Sequence, residues 1–185
     1  MKNKIMRVKK KKMRFHIMRE KGELEEIMPE LPEDDEVFKI LSNGGFSSIA
    51  FVKSVADKTR IDEMLATTLR VGRKHLEVID VLYKNGAIGK VKFIIGSLMK
   101  NDSERGVKYG YYDDLKKKCD ENGWEISISN NHSKILLMDT KKGKFVLETS
   151  SNLNENPKME QFSFEKSEEL FNMYMNFFKG VKNNE

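Results

Sequence analysis

Between residues 37 and 181 the chain alternates apolar and polar positions in short blocks, some with the period of two of a strand and others with helical spacing. "VFKIL" (37–41) predicts a strand, stopped by "SNGG". Ser47 is placed to cap a helix carrying Ile49, Val52, Val55 and Ala56 at helical intervals. "MLATTL" (64–69) predicts a strand that ends at "RVG", followed by a helix over 72–83 with Leu76, Ile79, Val81 and Leu82 as its apolar stripe. "NGAIG" breaks that helix, and "KVKFIIGSLM" (90–99) reads as the most deeply buried strand. A helix around "GYYDDLKKKCDENG" (110–123) ends on Gly123, a residue suited to a left-handed cap.

After Gly123 the pattern turns to closely spaced strands: "WEISISN" (124–130), "HSKILLMDT" (132–140) and "KFVLETSSN" (144–152), the last two joined by the turn signal "KKGK". A final amphipathic helix is expected over 167–178, with Leu170, Phe171, Met173, Tyr174, Phe177 and Phe178 apolar. Strands and helices that alternate and then give way to a strand-rich end predict an α/β sandwich, with helices on both faces of a mixed sheet. The sequence contains no internal repeat.

Length and charge set the organisation. A chain of 185 residues suits one domain with a tail, and the pattern divides it into a charged arm (1–36), a domain (37–181) and a short tail (182–185). The arm is basic in "MKNKIMRVKKKKMRF" and acidic in "EKGELEEIMPELPEDDE", and reads as a solvated segment whose halves pair with each other, or whose basic half follows a phosphate backbone. Hydrophobic residues make up 38% and charged residues 34%. No apolar run approaches the roughly 18 residues of a membrane span. The basic start is followed by acidic residues rather than an apolar leader core, so the expected location is the cytoplasm. The formal charge of +5 favours polyanionic partners. A single cysteine, Cys119, excludes an internal disulfide and reads as an ordinary helical thiol. The three histidines, His16, His75 and His132, lack metal-ligand spacing, so no metal or other cofactor is expected; His75 reads as a helix-surface residue.

The candidate chemistry lies in "NNHSKILLMDT", where a histidine, a lysine and an aspartate interrupt an apolar strand. Strand alternation sends His132 and Lys134 to one face and Asp139 to the other, and it puts Ser150 and Asn152 of the next strand on a common face. Aligned across the hairpin, His132, Lys134, Ser150 and Asn152 form a patch suited to a phosphate. Lys134, Ser150 and Asn152 are donors for its oxygens, and a neutral imidazole is a nucleophile at physiological pH. Arg70, at the end of a strand and just before a helix start, is a further candidate phosphate contact.

The run H-x-K, four residues, then D, followed across a hairpin by S-x-N, resembles the signature of the phospholipase D superfamily of HKD phosphodiesterases. Together with "SSNLNENPKMEQFSF" it is similar to small single-motif bacterial and phage members, which include metal-independent nucleases. The resemblance covers about residues 37–181 and implies a phospholipase D-like α/β/α sandwich. It implies His132 as nucleophile, Lys134 and Asn152 as phosphate ligands with Ser150 supporting them, and Glu160 as the acid that orients the histidine ring. Asp139 is its structural carboxylate. Thr149 stands where the family usually has glycine, and the hairpin is a few residues longer, which bears on substrate shape more than on chemistry. A single motif implies a homodimer, in which one His132 attacks and the other protonates the leaving oxygen. The expected activity is a metal-independent nuclease acting on DNA or RNA through a phosphohistidine. Phospholipid hydrolysis or transfer, and nucleic-acid binding without turnover, are the alternatives. No stable membrane association is expected, because the basic arm lacks a sustained apolar face.

Overall fold

The computed structural model describes residues 11–18, 24–34, 36–44, 46–106, 111–154 and 157–181. Its strands are β1 (Lys12–Met18), β2 (Glu36–Ser42), β3 (Ile61–Thr68), β4 (Ile88–Gly96), β5 (Glu125–Ser129), β6 (Ile135–Thr140), β7 (Gly143–Thr149) and β8 (Glu160–Lys166). They form one sheet in the order β1-β2-β8-β7-β6-β3-β4-β5. The pairs β1–β2, β3–β4 and β4–β5 are parallel and the other four antiparallel, so the sheet is mixed. The helices are α1 (Leu24–Ile27), α2 (Ile49–Lys58), α3 (Arg73–Lys84), α4 (Ser97–Glu104), α5 (Tyr112–Asn122) and α6 (Glu168–Phe178).

Side-chain alternation makes two apolar layers out of the same strands. Phe38, Ile40, Met64, Ala66, Leu136, Met138, Phe145, Leu147, Phe162 and Phe164 point into the larger layer. There they meet Phe51, Val52 and Val55 of α2, Leu76 and Ile79 of α3, and Leu115 and Cys119 of α5. Burial of each such side chain contributes about 1.5–3 kcal/mol. The opposite face carries Leu65, Ile94, Leu137 and Val146, covered by Phe171, Met175 and Phe178 of α6. This is the α/β sandwich with helices on both faces that the pattern implies.

Several elements depart from the pattern. β8 is a strand that "EQFSFEK" fills between β2 and β7; its Phe162 and Phe164 are buried at every second position, a signal the charged neighbours obscure. β4 ends at Gly96, and "SLM" belongs to α4 rather than to the strand. The N-terminal charge blocks do not behave as a solvated arm in their described part: 12–18 add an edge strand beside β2, and Leu24 and Met28 are buried in the larger core. Residues 1–10, 19–23 and 35 of that segment, and the tail (182–185), lie outside the described residues. On the exposed side of β1, Met13, Phe15 and Ile17 are more than half exposed. In α6, Met175 is buried while Met173 and Phe177 face outward. His75 is buried, its Nε2 lying 2.8 Å from Ser47 Oγ, so it is a core contact between α3 and the start of α2. That bond also occupies the hydroxyl expected to cap α2.

Candidate functional site

Directions along the sheet place one edge under the chemistry. β2, β3, β4 and β7 end there, while β6 and β8 begin there. The carboxyl ends of parallel strands are the usual place for ligands in α/β sheets. The loop leading into β6 carries His132, which departs from the alternation argument: β6 starts at Ile135, and His132 sits ahead of it, outside the strand. Lys134 is the last residue held by the ladder, its carbonyl accepting from Thr149 N at 3.1 Å.

What fixes that loop is Asn131. Its Nδ2 donates to the carbonyls of Thr68 (3.2 Å) and Ile94 (3.1 Å), tying it to the ends of β3 and β4. Its Oδ1 accepts from Ser133 N at 3.0 Å and from Ser133 Oγ at 2.6 Å. Ser133 Oγ also lies 2.8 Å from Thr67 Oγ1. The loop therefore rests on side chains that sequence reasoning passed over. The only sequence signals for them are the "NN" before His132 and the "TT" at the end of β3.

Asn131 approaches so closely that residue 96 has no room for a side chain. A Cβ on Gly96 would stand 2.7 Å from Asn131 O and 2.6 Å from Leu69 Cδ1.

His132 is exposed, and its Nδ1 lies 3.2 Å from Lys134 Nζ, which also donates to the His132 carbonyl at 3.0 Å. An ammonium has only protons to offer. In this arrangement Nδ1 accepts, and the neutral ring carries its proton on Nε2. Burial lowers the Lys134 pKa from its ordinary value, and the Glu160 carboxylate partly offsets that.

Glu160 opens β8 and is buried. It accepts a hydrogen bond from the Ser150 hydroxyl, and Ser150 Oγ in turn accepts from Gln161 N at 3.0 Å. Ser150 is thus clamped to the start of β8 from both sides. Thr149, where glycine was expected, spends its hydroxyl on Gln161 O at 2.9 Å and on receiving Ser151 N.

A groove of about 580 Å³ opens over these residues, lined by His132, Ser133, Lys134, Thr149 and Ser150 at one end and by Lys39 and Ser163 at the other. Asn152, expected in the same patch, does not line it; its Oδ1 lies 3.5 Å from Thr68 Oγ1. Thr68 holds the local backbone, donating to Arg70 O at 2.9 Å and accepting from Leu153 N at 3.1 Å. Two sequence candidates lie elsewhere. The Arg70 guanidinium pairs with Asp102 of α4 and does not line the groove. Asp139 lies at the far end of β6, opposite Lys144 in the ladder and in phase with Leu137 on the α6 side. Among the described residues no group of three or more His, Cys, Asp or Glu side chains is arranged to hold a metal ion.

No protein-family model matches the chain, and no curated protein matches it at a significant level. Solved structures do. Phosphatidylserine synthase from Haemophilus influenzae Rd KW20 aligns with a TM-score of 0.54 at 17% identity, over 77% of this chain and 37% of that one. Polyphosphate kinase from Porphyromonas gingivalis aligns with a TM-score of 0.55 at 15% identity, over 78% of this chain and 23% of that one. The fold is phospholipase D-like. The chain spans well under half the length of either neighbour. Within the phospholipase D-like sheet, His132 and Lys134 of H-x-K and Ser150 of S-x-N line one groove. The D of the motif is separated from them by the length of β6.

Proposed function

We propose that the protein is a phosphoryl-transfer enzyme, a metal-independent phosphodiesterase that hydrolyses DNA or RNA. The observation that carries this reading is the convergence of His132, Lys134 and Ser150 on one groove, with the buried carboxylate of Glu160 behind them.

In this reading Lys134 is the moving part. Without substrate its ammonium is held at His132 Nδ1. A phosphate oxygen carries charge and is the stronger acceptor, so an arriving phosphodiester draws Lys134 away and leaves the imidazole free to present a lone pair. A ring nitrogen of His132 attacks phosphorus, the bond to the leaving oxygen breaks, and a phosphohistidine forms. Lys134 and Asn152 hold the non-bridging oxygens as charge builds, and Ser150, whose hydroxyl is given to Glu160, supports them. The leaving oxygen takes its proton from His132 of a second copy of the chain, which later accepts a proton from the water that cleaves the phosphohistidine. Glu160 fixes Ser150 and supplies the countercharge for Lys134, and through them it orients His132.

The test is hydrolysis of single- and double-stranded DNA and RNA in EDTA, with acid-quenched samples probed for phosphate on His132. Turnover that disappears with EDTA, or that survives in His132→Ala, overturns the mechanism. Phospholipid hydrolysis is the second reading, favoured by the exposed Met13, Phe15 and Ile17 on the strand beside β2. Flotation with phospholipid vesicles, followed by head-group release, decides between the two. Binding of nucleic acid without any trapped phosphate would leave a silent binding protein.

A further inference from the structure

The groove does not stop at the H-x-K and S-x-N residues. On the α6 side of the sheet, register aligns Lys39 of β2 with Ser163 of β8, Ser163 with Glu148 of β7, and Glu148 with Ile135 of β6. All four line the groove. Lys39 and the residue next to Lys134 are therefore three strands apart, about 14 Å at a strand spacing of about 4.8 Å. Lys39 Nζ is 2.7 Å from Ser163 Oγ. Among the described residues, that hydrogen bond goes to a hydroxyl rather than to a carboxylate. A lysine whose acceptor is a neutral hydroxyl is not paired by it with a countercharge, and the Ser163 O–H can donate to the same anion.

A carboxylate stands on the same side of the sheet as Lys39: Glu148, in register with Ser163. Glu148 receives the Tyr174 hydroxyl, which holds it in place against α6. Burial and that same bond push the tyrosine pKa well up, so it stays a neutral donor. The Glu148 carboxylate so close to Lys39 repels a run of directly adjoining phosphates, so this part of the groove suits phosphates separated by an uncharged spacer.

We propose that Lys39 and Ser163 form a second phosphate subsite, which binds a flanking phosphate of a sugar–phosphate chain whose reacting phosphodiester lies at His132 and Lys134. The proposal rests on reading the groove as a phosphodiester site and narrows its substrate to a polymer. A phospholipid, with one phosphodiester and two apolar tails, has nothing to place at Lys39.

The experiment is a binding titration, followed by chemical shifts at low ionic strength, with oligothymidylates of two, three and four nucleotides. The proteins are the full chain and its Lys39→Gln, Lys39→Arg and Lys134→Gln variants. The wild-type chain should bind more tightly as the strand lengthens. Lys39→Gln should flatten that gain and make the slope of log affinity against log salt shallower by about one, the loss of one phosphate contact. Lys39→Arg should keep the gain, and Lys134→Gln should weaken all lengths alike. An unchanged length dependence and salt slope in Lys39→Gln overturns the subsite. Tripolyphosphate that binds with the same dependence on Lys39 overturns the spacing argument. A length-dependent gain that needs Lys39, in a protein that never cleaves the strand, would refute the phosphodiesterase reading and leave the subsite standing.

Discussion

The hydroxyl of Ser150 is hydrogen-bonded to the buried carboxylate of Glu160, joining the end of β7 to the start of β8 beneath the candidate site. Ser150→Ala removes a donor from a buried charge, and such losses cost about 1–3 kcal/mol. Denaturant unfolding should show a lowered midpoint with an unchanged slope, and oligonucleotide turnover should fall as well.

Glu160→Gln keeps the shape and deletes the charge. Lys134, already lowered by burial, then loses the carboxylate that raises it, so its pKa falls further. If turnover needs the Lys134 ammonium, the alkaline limb of the pH–rate profile should move to lower pH in Glu160→Gln. An alkaline limb that stays put would mean that Lys134 is not the group titrating there.

His132→Ala should abolish turnover and leave stability nearly untouched. The side chain is exposed and its only described partner is Lys134, and surface changes of this kind are usually within about 0.5 kcal/mol. Equal thermal midpoints with and without the imidazole, set beside a loss of hydrolysis, are the expected pair of results.

Gly96→Ala should damage the site without touching any of its polar groups. Its new Cβ would collide with Asn131 O and Leu69, pushing the loop that carries His132 off the ends of β3 and β4. Overpacking of this sort costs about 1–3 kcal/mol. The variant should lose activity to a greater extent than Asn130→Ala, a change at an exposed position in the same loop.

Asp80 of α3 is nearly covered and takes hydrogen bonds from Lys84, Lys118 and Asn122. Burial raises its pKa, but the bonds from Lys118, Lys84 and Asn122 outweigh that and hold it at about 2. A carboxyl depressed below its unfolded value stabilises the fold above about pH 4. That contribution is lost as pH falls toward 2. Asp80→Asn should therefore flatten the acid limb of the stability curve between those values, measured by thermal unfolding.

Much of this was legible in the chain, because it depends on local rules. The short apolar runs in "HSKILLMDT" and "KFVLETSSN" and the turn at "KKGK" specify the β6–β7 hairpin, whose strands are buried on both faces. The H-x-K and S-x-N residues lie at the two ends of that hairpin, so their proximity follows from it. Gly123 ends α5 with φ of +67°, where a side chain would be strained.

What the sequence could not decide was everything set by contacts between distant segments. "EQFSFEK" becomes a strand because a gap between β2 and β7 offers it partners on both sides. The charged N-terminal segment gains β1 by lying along β2, and His75 is buried where Ser47, just ahead of α2, meets it. Arg70 stands at a strand end where an anion contact was expected, yet Asp102 of α4 claims its guanidinium. Lys39 carries no local signal at all. A lysine in a strand reads as solvent-facing until β8 and β7 align it, through Ser163 and Glu148, with the end of β6 where His132 and Lys134 sit. Period and turn chemistry act over a few residues and are written in the chain. Which cation keeps its charge for a ligand depends on which carboxylates fold beside it, and only the assembled sheet determines that.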